Sequence, residues 1–189
     1  EAAGCRTHLI TRHPLRAHQF DSDPGWLGPR YMQGFESERE LDQRRDIITA
    51  ARHRGSVPPS VLRAVKQAIE AGRITWHLAE VQEVVPTPQG RRLQLSSAED
   101  VEVAHIVLAT GFAGQRPGGD MIDALIESAA LPCAACGYPI VDAALRWHPR
   151  IHVTGPLAEL ELGPAARNIA GARRAAERIV AAAQQHVDV

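Results

Sequence analysis

The sequence predicts an α/β fold, and three stretches carry that prediction. The first is Ile151-His-Val-Thr-Gly-Pro156, a short apolar strand over Ile151 to Val153 and a glycine turn, which leads on to a long helix opened by Gly163-Pro164. Pro164 suits the first helical position, where its missing N–H is no loss. The second is Ile106-Val-Leu-Ala-Thr-Gly111, an apolar run of buried-strand length. The third is the alternation of apolar and polar residues from Ile74 to Leu95, which has the period of strands.

In chain order, Ala2 to Cys5 read as the end of a helix stopped by Gly4, and Thr7 to Thr11 as a strand. Residues 15–35 are too rich in Pro and Gly for a regular element. They predict an ordered loop packing Phe20, Trp26 and Tyr31. Asp21, Asp23 and Glu36 match no EF-hand spacing and read as solvated turn carboxylates. Ser37 with Glu40 three residues on forms a capping-box pattern for a helix reaching Arg52, with Leu41, Ile47, Ile48 and Ala51 on its apolar face. Gly55 is its stop.

Pro58-Pro59 introduce a second helix, about Ser60 to Ala71, whose stripe is Val61, Leu62, Val65 and Ile69. Gly72 ends it. Arg44, Arg45, Arg52 and Arg54 give this helical pair a basic side, which either reaches a cofactor phosphate or faces solvent. From Arg73 the strands of a small antiparallel meander follow, feeding the buried run that ends at Gly111. Asp120 to Ser128 form a short helix with Met121, Leu125 and Ile126 inward, and an irregular segment leads to the terminal strand and helix.

Bulk properties exclude some functions. Of 189 residues, 21 are Lys or Arg and 22 Asp or Glu, a formal charge of −1 that gives no basic excess for nucleic-acid binding. No apolar run is long enough to span a bilayer, which argues against a membrane partner. Three cysteines do not suggest a disulfide framework, and a cytoplasmic setting fits them. Cys133 and Cys136 form a C-x-x-C pair, for which half a zinc site, a redox dithiol and two ordinary buried thiols compete. The last reading is preferred, so no metal site is assigned. No Ser/His/Asp or paired-carboxylate constellation stands out, and no catalytic acid or base is named.

A helix start after a strand and a glycine turn exposes unpaired N–H groups and a partial positive charge, a setting for an anion or an oxygen acceptor. Gly155 and Gly163 equally permit tight turns and nothing more. The Ala109-Thr110-Gly111 strand end and the later Gly155 turn, in this order, resemble the C-terminal part of the two-dinucleotide-binding-domain flavoproteins, above all the flavin-containing and lysine/ornithine N-hydroxylating monooxygenases. The resemblance implies a partial, Rossmann-like α/β fold with a small β-meander, truncated at its amino terminus. No G-x-G-x-x-G occurs in the chain.

Three spans are implied: the remainder of an NAD(P)-binding domain with a helical insertion over 1–112, a connecting segment over 113–150, and a return to the FAD-binding domain over 151–189. The implied cofactors are FAD and NADP, and the implied partner is a small-molecule substrate. At the end of the strand Thr7–Thr11, where an acidic residue would bond the ribose of NAD, stands Arg12, which favours the 2′-phosphate of NADP. Ala109, Thr110, Gly111, Gly155, Pro156, Gly163, Pro164 and Asn168 are the further cofactor-binding candidates. Where the resembled proteins carry Gly-Asp at the flavin's ribityl chain, this sequence has Gly155-Pro156, and Asn168 or the backbone would have to serve. A stand-alone binding protein on a degenerate dinucleotide fold is the alternative, and it accounts best for the absent glycine fingerprint.

Overall fold

The computed structural model describes residues 4–111 and 114–187. In chain order its elements are β1 (Thr7–Thr11), β2 (Arg16–Ala17), α1 (Pro29–Ser37), α2 (Leu41–Ala50), β3 (Ser56–Val57), α3 (Pro59–Glu70) and β4 (Ile74–Leu78). There follow β5 (Val81–Thr87), β6 (Gly90–Leu95), β7 (Asp100–Val103), α4 (Gly119–Ala129), β8 (Arg146–His148), β9 (Ile151–His152), α5 (Glu159–Leu162) and α6 (Ile169–Val187). No helix among the described residues is long and apolar enough to cross a membrane.

The chain divides into two compact units. The first comprises Glu1–Asp21 and Arg54–Phe112, the second Ser22–His53 and Ala113–Val189. Residues 22–53, expected within the span 1–112, therefore group by packing with the carboxy-terminal residues. The helix tail expected at Ala2 to Cys5 lies largely outside the described residues.

In the first unit β1 and β4 pair in parallel, with Thr7 opposite Ile74 and Thr11 opposite Leu78. Helix α3 lies between them in sequence, since parallel strands need a crossover. Pro59 opens α3, and Gly72 just beyond its end takes φ +69, a conformation glycine adopts without penalty. Strands β5, β6 and β7 form the antiparallel meander, with β6 central. Leu93, Leu95 and Val101 from its inward face bury against Ala79, with Ile10 of β1 packed alongside.

The buried strand expected after the meander is not formed. Residues 104–111 belong to no strand, Val107 is 90% and Leu108 80% exposed. A continuous apolar run is buried only where strands flank it and both faces are covered, and the first unit supplies neither at this place.

The second unit holds two apolar clusters. One gathers Ile122, Leu131, Leu145, Trp147, Val153 and Leu162, and the other Met32, Phe35, Ile48, Tyr138 and Leu160. Met121, expected inward, is 72% exposed, and Ile122 one residue on is the buried anchor of α4. The loop expected over 15–35 contains instead a 3₁₀ turn, Pro24–Leu27, and helix α1. Its breakers sit where a helix tolerates them. Pro29 occupies the first turn, and Gly34 is flanked by the buried Met32 and Phe35, whose packing outweighs the glycine cost.

Trp26 stacks obliquely on Tyr31 and meets Phe35 edge-on, as an aromatic cluster was expected to, but Phe20 stays exposed. Ser37 is not an N-cap. It ends α1, its hydroxyl donating to the Gly34 carbonyl at 2.8 Å, and α2 begins at Leu41 after Glu40.

Candidate functional site

The carboxy-terminal candidates fall on one run of turns. After β9, Gly155 opens a 3₁₀ turn to Ala158, α5 follows, and a second 3₁₀ turn, Pro164–Arg167, leads to α6. The long helix thus begins at Ile169 and not at Gly163-Pro164. Asn168, at φ −106 and ψ 175, is extended and separates the turn opened by Pro164 from the helix. Asn168 supplies the cap, its Oδ1 accepting the Gly171 N–H at 2.9 Å.

The glycines of this run differ in purpose. At Gly155, φ +60, a side chain would meet no atom within 4 Å, so its face is open. At Gly163 an added Cβ would lie 3.1 Å from the Met32 sulfur, so here the absent side chain makes room for α1. At Gly171 the carbonyl of Ala165 occupies that space, which lets α6 start against the preceding turn. Pro164 is buried, Pro156 is half-buried and Asn168 is exposed.

A buried carboxylate holds the run in shape. Glu159, 0% exposed, accepts from Arg45 Nη1 at 2.6 Å, Arg167 Nε at 2.7 Å and Arg167 Nη2 at 3.0 Å. Arg167 also donates to the Tyr138 hydroxyl, and the Arg45 guanidinium lies 3.9 Å from the centre of the Tyr138 ring. Burial alone would raise the Glu159 pKa, but the bonds and charges of Arg167 and Arg45 outweigh it and hold it below the ordinary value. Beside it Glu161 is shared by Arg44 and Arg178, at 3.2 and 3.0 Å.

This overturns one expectation for α2. Arg44 and Arg45 are neither solvated nor turned outward to a cofactor phosphate but bind carboxylates of α5, and Arg52 donates to the Pro164 carbonyl. Glu159, Arg167 and Tyr138 were not singled out from sequence. The only signal was the acidic pair in Glu159-Leu-Glu161, set in an otherwise apolar segment.

In the first unit Arg12 stands exposed in the bend after β1, and Ala109, Thr110 and Gly111 are exposed, Gly111 with φ +71. Trp76 Nε1 donates to Thr11 Oγ1 at the end of β1. Beside it Pro14, Leu15, Lys66, Ile69, Glu70 and Trp76 line a cavity of about 300 Å³.

Cys133 packs on the first apolar cluster of the second unit and Cys136 on the other. Burial pushes the Cys133 thiol up, with the Arg116 charge opposing. Among the described residues no three His, Cys, Asp or Glu side chains are grouped to hold a metal ion. Asp23 caps the first 3₁₀ turn by accepting the Gly25 N–H at 2.7 Å.

Solved structures share this architecture. No protein-family model matches the chain, and no curated protein matches it. The ornithine hydroxylase PvdA of Pseudomonas aeruginosa superposes with a TM-score of 0.73 at 17% identity, over 96% of this chain and 47% of that one. The Kutzneria sp. 744 ornithine N-hydroxylase KtzI, solved with reduced FAD, NADP+ and L-ornithine, gives 0.67 at 17% identity over 95% and 47%. The FAD-bound cadaverine monooxygenase DfoA of Erwinia amylovora gives 0.64 at 13%, over 93% and 45%. The fold is that of a part of the flavin-dependent N-monooxygenases, and the chain spans about half the length of the structures it matches.

Proposed function

We propose that this chain forms part of an FAD-dependent, NADPH-using oxidoreductase of the N-monooxygenase type. The observation that carries the reading is the superposition of nearly the whole chain on N-monooxygenases, one of them solved with FAD and another with reduced FAD and NADP+. The residues fit such a group at one place in particular. Gly155 leaves an open face at the start of a 3₁₀ turn, with no side chain to obstruct a close approach.

When bound, FAD would supply acceptance of hydride from NADPH and its onward passage to oxygen or another acceptor. The protein's part is position and exclusion of water. In this reading the Gly155–Asn168 run belongs to an FAD-binding domain and presents backbone at Gly155 and Pro156 and the Asn168 side chain to the flavin end. The Glu159–Arg45–Arg167 cluster fixes that run. Residues 4–21 and 54–111 belong to an NAD(P)-binding domain, where Arg12 takes the 2′-phosphate of NADP by paired charge-assisted hydrogen bonds. Ala109-Thr110-Gly111 lies where the chain passes between the two domains. The substrate is a small molecule, and the unbridged cysteines fit a cytoplasmic enzyme.

Replacing Arg12 with alanine in the full enzyme tests the cofactor assignment. Loss of a charge-assisted pair costs about 1.5–3 kcal/mol, so NADPH should bind at least tenfold more weakly while NADH is little changed. Equal loss for both would remove Arg12 from the phosphate site. A non-catalytic binding protein remains the second reading, supported by Pro156 where an aspartate would serve the ribityl chain. It requires that the full-length protein bind no FAD at all.

A further inference from the structure

His8 and His77 are diagonal neighbours on β1 and β4, since Thr75 faces His8 and Ile10 faces His77 in the register. His8 Nδ1 lies 3.0 Å from His77 Nε2, and His77 Nδ1 lies 3.0 Å from Glu99 Oε2 in the turn before β7. The ring centroids are 5.3 Å apart with planes inclined by 26°. That separation is what two imidazoles joined tip to tip by such a bond require. Both nitrogens therefore point along one line, which suits a shared proton and offers a metal ion no common point.

Protons can be placed along this chain. An ionised carboxylate only accepts, so His77 carries its proton on Nδ1 and presents Nε2 as an acceptor to His8 Nδ1–H. One added proton preserves the chain. It enters at His8 Nε2 while the proton between the rings passes to His77 Nε2, leaving an imidazolium beside Glu99 and a neutral His8. A second added proton sets N–H against N–H and brings two cations together.

We propose that Glu99, His77 and His8 form a pH-operated latch tying the β1–β4 pair to the meander, closed while the two rings hold at most one extra proton and opened by the second. The latch borders the small core of Ile10, Leu95 and Val101, so opening it loosens the contact between strand pair and meander. The charges around it are few. Arg6 precedes β1 and adds positive charge, Glu99 faces His77 with Asp100 next in sequence, and Lys66 and Glu70 of α3 lie with Trp76 on the other face of β4. Burial first, then the His77 and Arg6 charges, hold the His8 pKa below its ordinary value. A histidine so lowered is neutral in the fold. It stabilises above its unfolded value and loses that contribution as pH falls through the unfolded toward the folded value.

The test is a ring-¹⁵N NMR titration of the chain from pH about 8 to 4, with amide exchange followed over 74–78 and 95–100. The expected result is two separated steps shared by both rings, since coupled groups titrate as a pair. Intrinsically corrected exchange should rise at the second step, about tenfold for each pH unit by which that step lies below the titration of the opened imidazole. Independent single steps with unchanged exchange would overturn the latch. His8→Gln cannot take the second proton and should abolish the acid-induced exchange; its persistence would also overturn it. Should H8Q not fold, E99Q at this largely exposed position serves instead. It should lower the first step alone, and a profile identical to the parent's refutes the chain.

Discussion

Arg167 reaches back eight residues to grip both oxygens of Glu159, Nε to Oε2 at 2.7 Å and Nη2 to Oε1 at 3.0 Å. Arg45 closes the same carboxylate from a helix 114 residues away in sequence. The turns that carry Gly155, Gly163 and Asn168 are thereby tied at their middle to α2. Shape at the candidate cofactor site thus depends on a charge cluster that touches no cofactor candidate directly except through the backbone of the run.

Removing the buried acid should therefore cost stability. Glu159→Ala leaves two arginines without their shared partner, a loss of about 3–5 kcal/mol for a buried pair broken on one side. Urea unfolding measures it, and a change under about 1 kcal/mol would show that the cluster is dispensable.

The same carboxylate sets an acid limit. Its folded pKa is depressed, so its contribution is present above the unfolded glutamate value and is lost as pH falls through that value toward the folded one. Unfolding midpoints measured across this range should fall with pH in the parent and much less in Glu159→Gln. Parallel curves for the two would contradict the assignment.

Glycine substitutions should separate the two kinds of turn. Gly163→Ala forces a side chain into φ +76, ψ −169 and toward the Met32 sulfur, and should destabilise by about 1–3 kcal/mol. Gly28→Ala, at φ −139 with open space around it, should lie within about 0.5 kcal/mol of the parent. Thermal melts of the pair decide the point, and equal losses would refute it.

The uncovered run at Ile106 to Leu108 is an apolar edge without strand partners, the type of surface that pairs with other chains. Val107→Lys combined with Leu108→Lys should reduce self-association of the isolated chain in light scattering and leave its melting unchanged. Unaltered scattering would mean that the run is not the sticky surface.

Local signals were legible where local physics decides. Strand β1 falls at Thr7–Thr11 as read and α3 ends before Gly72 as its φ requires, but Ile74 to Leu78, read as the start of the meander, pairs in parallel with β1 and leaves the meander to β5, β6 and β7. Helix α1 was hidden because Pro29 and Gly34 look like breakers until Met32 and Phe35 are seen to be buried. Ser37 mimicked a cap because a serine with a glutamate three residues on has the same letters at either end of a helix. The Ile106 run shows the opposite case: its composition asks for burial that needs neighbouring strands. The Glu159 cluster was illegible because its charges meet only after 114 residues of chain have folded between them.

The most direct measurement of the central claim is the visible spectrum of the purified full-length gene product, followed by NADPH addition without oxygen. The account predicts about one tightly held FAD per polypeptide, bleached by NADPH faster than by NADH. A colourless protein that takes up no added FAD would contradict it and leave the binding-protein reading standing.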